Sequence, residues 1–226
     1  MGFSRGPKIV TDGLVFAVDA GSKKSYPGSG TSISDLITKL DGTLLNGASY
    51  STENGGTFLL DGSNDYISTG VFDMGTPTDI TLECFIRFNG SLDSNDRKVM
   101  HYDKTGTTNA VFQLRKGDNA GRIKYQHHDG STWHTLNLDN AIESDTWVHI
   151  VVTQIANNAI MYKNGVSSAS SGMGYLDWTN ANNLLIGYRA AAEYWKGDVA
   201  LMKIYNRALS AEEVLQNYNA TKSRFI

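Results

Sequence analysis

Trp195-Lys196-Gly197-Asp198-Val199-Ala200-Leu201-Met202-Lys203-Ile204-Tyr205-Asn206-Arg207-Ala208-Leu209-Ser210-Ala211-Glu212-Glu213-Val214 joins an apolar strand to a capped helix near the end of the chain. Val199, Leu201, Ile204 and Tyr205 follow a glycine and suit a half-buried pleated surface, so the first half of the stretch reads as a strand. Helix chemistry takes over at Ser210. Its hydroxyl is placed to accept from the Glu213 backbone while the Glu213 carboxylate reaches back, the reciprocal arrangement of a capping box. Ala211, Val214, Leu215 and Tyr218 then share one helical face. A helix this short needs a sheet to pack against, which makes the stretch the closing element of a β-sandwich.

Working outward, Phe58-Leu59-Leu60-Asp61-Gly62-Ser63-Asn64-Asp65-Tyr66-Ile67 reads as strand, turn, strand, and Thr81-Leu82-Glu83-Cys84-Phe85-Ile86 as a further strand. Trp147-Val148-His149-Ile150-Val151-Val152-Thr153 and Met161-Tyr162-Lys163-Asn164-Gly165-Val166 form a hairpin pattern, whose Asn-Gly tolerates the positive φ of a type I′ turn. These segments and the closing element resemble, in order from about Gly13 to Tyr218, the laminin-G-like domains of the concanavalin A-like lectin and glucanase superfamily. The resemblance implies an all-β, concanavalin A-like jelly-roll sandwich of two antiparallel sheets with a short C-terminal helix.

Composition agrees with an all-β chain. Among 226 residues there are 23 glycines and 3 prolines, with β-branched and aromatic residues recurring between turn signals. A chain of this length buries roughly 70% of its unfolded surface, enough for a sizeable core. We expect an N-terminal arm over 1–12 and a single domain over 13–226, since no internal repeat or linker divides the chain. Strands are expected at Leu14–Asp19 and at ten further sites between Thr57 and Tyr188, with Ser22 to Ser34 as a long surface loop.

The formal charge of −3 gives no footprint for a nucleic-acid backbone. The lone Cys84 excludes an intrachain disulfide and reads as a buried small hydrophobe. No segment approaches the ~18 apolar residues of a membrane span, and the opening residues lack the apolar region of a signal peptide. The expectation is therefore no nucleic acid, no membrane insertion and no export.

Catalysis has one candidate pair. On a strand, Glu143 and Asp145 would share a face, as the paired carboxylates of retaining hydrolases in this superfamily do, but Trp147 and Val148 follow where a third acid would stand. In the family this stretch is the turn before the central strand, so we expect no enzyme. His127 and His128 are adjacent and point to opposite faces of a strand, so they cannot jointly hold one ion there. His149 reads as a core or edge histidine. Calcium is the cofactor the resemblance implies, with Asp61, Asn64 and Asp65 as its oxygen ligands; many family members also carry an Asp-Glu pair where this chain has Ala200 and Leu201. Carbohydrate recognition uses aromatic faces beside amides and carboxylates. Trp133, Trp178 and Tyr194, near turns, are the residues chosen for it, whereas Trp147 and Trp195 read as core anchors.

The opening Gly6-Pro7-Lys8-Ile9-Val10-Thr11-Asp12-Gly13-Leu14-Val15-Phe16-Ala17-Val18-Asp19-Ala20-Gly21, with Lys24-Ser25-Tyr26-Pro27-Gly28-Ser29-Gly30, is similar to the start of laminin-G-like proteins encoded by tailed bacteriophages. This implies a virion structural protein, decorating the capsid or attached to the tail and assembled in the host cytoplasm. It would be homo-oligomeric, contact other virion proteins and hold cell-surface glycans by avidity. The alternatives are a free carbohydrate-binding module, calcium-dependent or not, and third a glycoside hydrolase.

Overall fold

A computed structural model describes residues 7–107, 109–119, 121–189 and 193–226. It contains two sheets of eight strands each, all paired antiparallel within the sheets. The first sheet runs in the order β14 (Val166–Gly172), β13 (Asn158–Lys163), β12 (Trp147–Ile155), β7 (Ile80–Phe88), β16 (Lys196–Tyr205), β5 (Thr57–Asp61) and β4 (Ser49–Ser51), with β1 (Leu14–Asp19) also pairing to β16. The second runs β11 (Trp133–Leu138), β10 (Ile123–His128), β9 (Ala110–Lys116), β8 (Arg97–Lys104), β15 (Ala181–Ile186), β6 (Tyr66–Val71), β3 (Asp41–Leu45) and β2 (Ser32–Ser34). One helix, α1 (Ala211–Thr221), follows β16. This is the expected jelly-roll sandwich.

β16 explains why the closing stretch is so apolar. It is buried from Gly197 to Tyr205 because both of its faces are covered. Val199, Met202 and Ile204 join Phe16, Phe58, Leu82 and Ile86 between the sheets. A register shift between Val199 and Leu201 resets the alternation, so Ala200, Leu201 and Tyr205 face outward beneath α1 and the C-terminal tail. Leu201 there meets Phe85 and Trp147, with Tyr218 and Phe225 packed over them, and Tyr205 meets Val10, Leu209 and Val214. Gly197 has φ of +147°, and a Cβ there would overlap the carbonyl oxygen of Arg87 on the neighbouring strand. No other residue fits that crossing.

The capping box forms as the sequence reads: the Ser210 hydroxyl accepts from the Glu213 N–H at 3.3 Å and Glu213 accepts from the Ser210 N–H at 2.9 Å. The helix's buried stripe differs from expectation. Val214 and Asn217 are buried, while Leu215 is 43% exposed. Asn217 turns inward because a buried carboxylate awaits it: its Nδ2 donates to Glu83 Oε2 at 2.7 Å and its Oδ1 accepts from the Val10 N–H at 2.7 Å. Glu83 Oε1 accepts from Lys203 Nζ at 2.8 Å and lies 3.0 Å from His149 Nε2. This polar network ties the first sheet, α1 and the chain before β1 into one body. Val10 is buried on the helix, and Lys8 and Asp12 contact Gln216 and Arg207, so the described part of the expected arm lies on the chain's own surface. Residues 1–6 fall outside the described residues.

Two further differences are local. The Ser22–Ser34 loop tucks Ser25 and Tyr26 into the interior and ends in edge strand β2. The short β3 and β4 carry too little hydrophobic pattern to be read from sequence. The Asn164-Gly165 turn has φ of +53° and +80°, as the hairpin requires. Cys84 is buried in the core, and among the described residues no helix is long and apolar enough to cross a membrane.

Candidate functional site

The outer face of the first sheet is closed by α1 and the tail, which leaves the outer face of the second sheet open. Alternation along its strands sorts the side chains. Phe112 and Leu114 of β9, Ile123 and Tyr125 of β10, and Leu136 and Leu138 of β11 point into the core. Gln113, Arg115, Lys124, Gln126, Thr135 and Asn137 alternate with them and point out. Leu185, His101, Gln113, Gln126 and Thr135 are successive register partners from β15 to β11, and Lys98, Arg115, Lys124 and Asn137 form a second row from β8 to β11. Gln113 Nε2 donates to Gln126 Oε1 at 3.1 Å, and Gln126 Nε2 donates to Thr135 Oγ1 at 2.6 Å, which fixes both amides.

Over these rows lies a cavity of ≈ 360 Å³ lined by Lys98, Gln113, Arg115, Gln126, Trp133 and Arg189. Its floor holds polar atoms with no hydrogen-bond partner: Lys98 Nζ, Gln113 Oε1 and Arg115 Nε, with His101 Nδ1 in the next register position. Native interiors satisfy nearly all such atoms. The Lys98, Gln113 and Arg115 atoms lie just beneath the lining of the cavity, on the side chains that form it. Lys98 Nζ is 3.3 Å from Glu193 but outside hydrogen-bonding alignment, Glu193 also faces Arg189 at 3.5 Å, and Arg115 pairs with Asp96. Burial pushes the Lys98 ammonium down to about 8, Arg115 and Arg189 add to that, and Glu193 opposes it. Burial also lowers His101, against the pull of Asp103.

The three aromatic candidates do not converge on one cavity. Trp133, 38% exposed on β11, walls this groove. Trp178 lines a separate cavity of ≈ 450 Å³ beside Asp73, Tyr102 and Asn180, with its Nε1 donating to the Pro77 carbonyl at 3.1 Å. Tyr194 stacks on Tyr188 at 4.8 Å, and Tyr188 meets Tyr66 at a tilt with centroids 4.7 Å apart. Trp195 is fully buried against Phe88, and Trp147 is buried beneath Phe225, both as expected of core anchors.

Two of the calcium candidates, Asp61 and Asp65, are engaged within their own turn. Asp61 Oδ1 accepts from the N–H groups of Ser63 at 2.7 Å and Asn64 at 3.2 Å, while Asp65 Oδ2 accepts from the Asp61 N–H at 3.1 Å. Burial opposes ionisation of Asp61, but these backbone donors outweigh it and hold the carboxyl low; burial dominates at Asp65 and raises it. The two carboxylates cap the turn between β5 and β6. Among the described residues no group of three or more His, Cys, Asp or Glu gathers.

Glu143 and Asp145 sit on a turn, not a strand. Asp145 has φ of +56°, and its Oδ1 accepts from the Gly90 N–H at 2.8 Å. His127 is buried against His134 at 5.2 Å, and His134 pairs with Asp129 at 2.7 Å. His149 is half satisfied: Nε2 meets Glu83, while Nδ1 has no partner.

Sequence reasoning missed Lys98, Gln113, Arg115, Gln126 and Arg189. The signal was present in the polar alternation Gln113, Arg115 against Phe112, Leu114, continued by Lys124 and Gln126 on the next strand.

A family model described as the concanavalin A-like lectin/glucanases superfamily matches residues 61–215. No curated protein matches in sequence. Among solved structures, Trypanosoma rangeli sialidase with the inhibitor DANA superposes with a TM-score of 0.72 at 16% identity, covering 96% of this chain and 34% of the sialidase. The botulinum neurotoxin serotype D ligand binding domain with N-acetylneuraminic acid gives 0.70 at 14%, covering 92% of this chain and 50% of that one. Domain 4 of an extracellular arabinanase from Geobacillus stearothermophilus, in complex with arabinotriose, gives 0.70 at 15%, covering 91% and 98%. The chain thus spans about a third of the sialidase, half of the toxin domain and nearly all of the arabinanase domain. At these identities the likeness is one of fold.

Proposed function

The chain belongs to the concanavalin A-like lectin/glucanases superfamily, and we propose that it is a non-enzymatic, carbohydrate-binding structural protein of a bacteriophage particle. The observation that carries the binding reading is the groove on the second sheet, where unpaired Lys98, Gln113 and Arg115 atoms lie beneath Trp133. A sugar offers what this floor lacks: hydroxyls that donate and accept together, and an apolar ring face for the indole. An arabinotriose complex in a domain that matches this chain along nearly its whole length lends support, as a likeness of fold.

The non-enzymatic reading is supported by the roles of the only carboxylate pair the sequence offered. Asp145 holds the Gly90 backbone, and Glu143 borders a different, small cavity with Trp147 and Lys163. The virion reading is supported by the resemblance of the opening residues to phage proteins, and it places copies side by side so that avidity raises weak single-site affinity.

Two experiments test the proposal. A glycan array probed with the intact chain should give binding that Trp133→Ala removes. Mass spectrometry of purified phage particles should find the chain at many copies; its absence there, with array binding intact, leaves a free carbohydrate-binding module.

A further inference from the structure

The charge of the groove goes further than carbohydrate in general. Among the described residues that line it, Lys98, Arg115 and Arg189 are cationic, Gln113, Gln126 and Trp133 are neutral, and none is acidic. The carboxylates that balance the cations, Glu193 and Asp96, are not part of the lining. The balance is incomplete at two atoms: Lys98 Nζ makes no hydrogen bond although its side chain is only 1% exposed, and Arg115 Nε makes none although Asp96 pairs with the other end of the guanidinium. Lys98 and Arg115 are direct register partners on β8 and β9. Gln113 and Gln126 continue the floor toward Trp133.

We propose that this groove selects saccharides bearing a carboxylate, with the acid group received by Lys98 and Arg115, sugar hydroxyls by Gln113 and the ring by Trp133. The inference rests on the carbohydrate-binding reading above. A neutral sugar offers the Lys98 ammonium only hydroxyl oxygens, whereas a planar carboxylate supplies charge-assisted bonds to both cations. The lowered proton affinity of Lys98 comes first from its burial and then from the neighbouring Arg115, with Glu193 opposing both.

The test is an array of uronate- and sialate-bearing oligosaccharides, each beside its neutral counterpart, the methyl ester or the desialylated form, followed by calorimetry on the strongest pair. We expect the acid to bind at least about tenfold more tightly than its neutral partner, the range charge-assisted contacts supply, with affinity falling as salt rises. Lys98→Met and Arg115→Gln should each erase the preference. Thermal melts establish that the variants fold, and if Lys98→Met does not, Arg115→Gln carries the result, its side chain being 12% exposed. Equal binding of acid and neutral members, both lost in Trp133→Ala, overturns the carboxylate inference and leaves carbohydrate binding standing. Binding of no member overturns both.

Discussion

Glu83→Gln is the substitution whose cost the structure specifies most closely. Glu83 and His149 are fully buried and Lys203 is 5% exposed. The glutamine keeps the volume and removes the charge, so the Lys203 ammonium loses its carboxylate at 2.8 Å while remaining beneath α1. Removing one member of a buried ion pair costs about 3–5 kcal/mol, because the surviving charge stays desolvated. For a domain of this size each kcal/mol lowers Tm by about 2–4 °C, so calorimetry should record a drop of roughly 6–20 °C. Adding Lys203→Met should recover most of it, since the charges leave together.

The pH dependence follows from the same network. Burial opposes ionisation of Glu83, but the Lys203 charge and the bonds from His149 and Lys203 outweigh it and lower the carboxyl to about 2. A carboxyl lowered in the folded state stabilises above its unfolded value, about 4.3, and that contribution is lost as pH falls toward the folded value. The gap between the wild type and Glu83→Gln should therefore be full near neutrality and close between about pH 4.3 and 2. A single variant within about 1 kcal/mol of the wild type, or a double variant no better than the single, would refute this account of the network.

Two further outcomes concern the closing element. Ser210→Ala removes the hydroxyl that receives the Glu213 N–H and should cost about 1 kcal/mol, read as a Tm lower by about 2–4 °C; an unchanged Tm means α1 is held by packing alone. Gly197→Ala meets both a positive φ and the Arg87 carbonyl, so it should fail to give a cooperative melt by circular dichroism, and a normal melt would show that β16 and β7 can separate there.

The sheets were legible because their signals are local. Val148 to Val152, Leu82 to Phe88 and Val199 to Tyr205 carry enough β-branched and aromatic residues to identify strands, and Ser210 with Glu213 identifies a helix start. Leu215 was misplaced because the apolar period cannot foresee a buried carboxylate on β7, which draws Asn217 inward instead. The groove was harder to read because Lys98, Gln113, Arg115 and Gln126 meet only through strand pairing. Trp133 could be chosen as an aromatic near a turn, but nothing in its neighbourhood separates it from Trp178, which the fold sends to another cavity.

Trp133 and Trp178 together test whether the outer face of the second sheet binds carbohydrate. Glycan-array profiles of the wild type, Trp133→Ala and Trp178→Ala should show binding that survives in Trp178→Ala and disappears in Trp133→Ala, with all three proteins folded. Loss in Trp178→Ala with Trp133→Ala unaffected would place the site in the other cavity and contradict the claim.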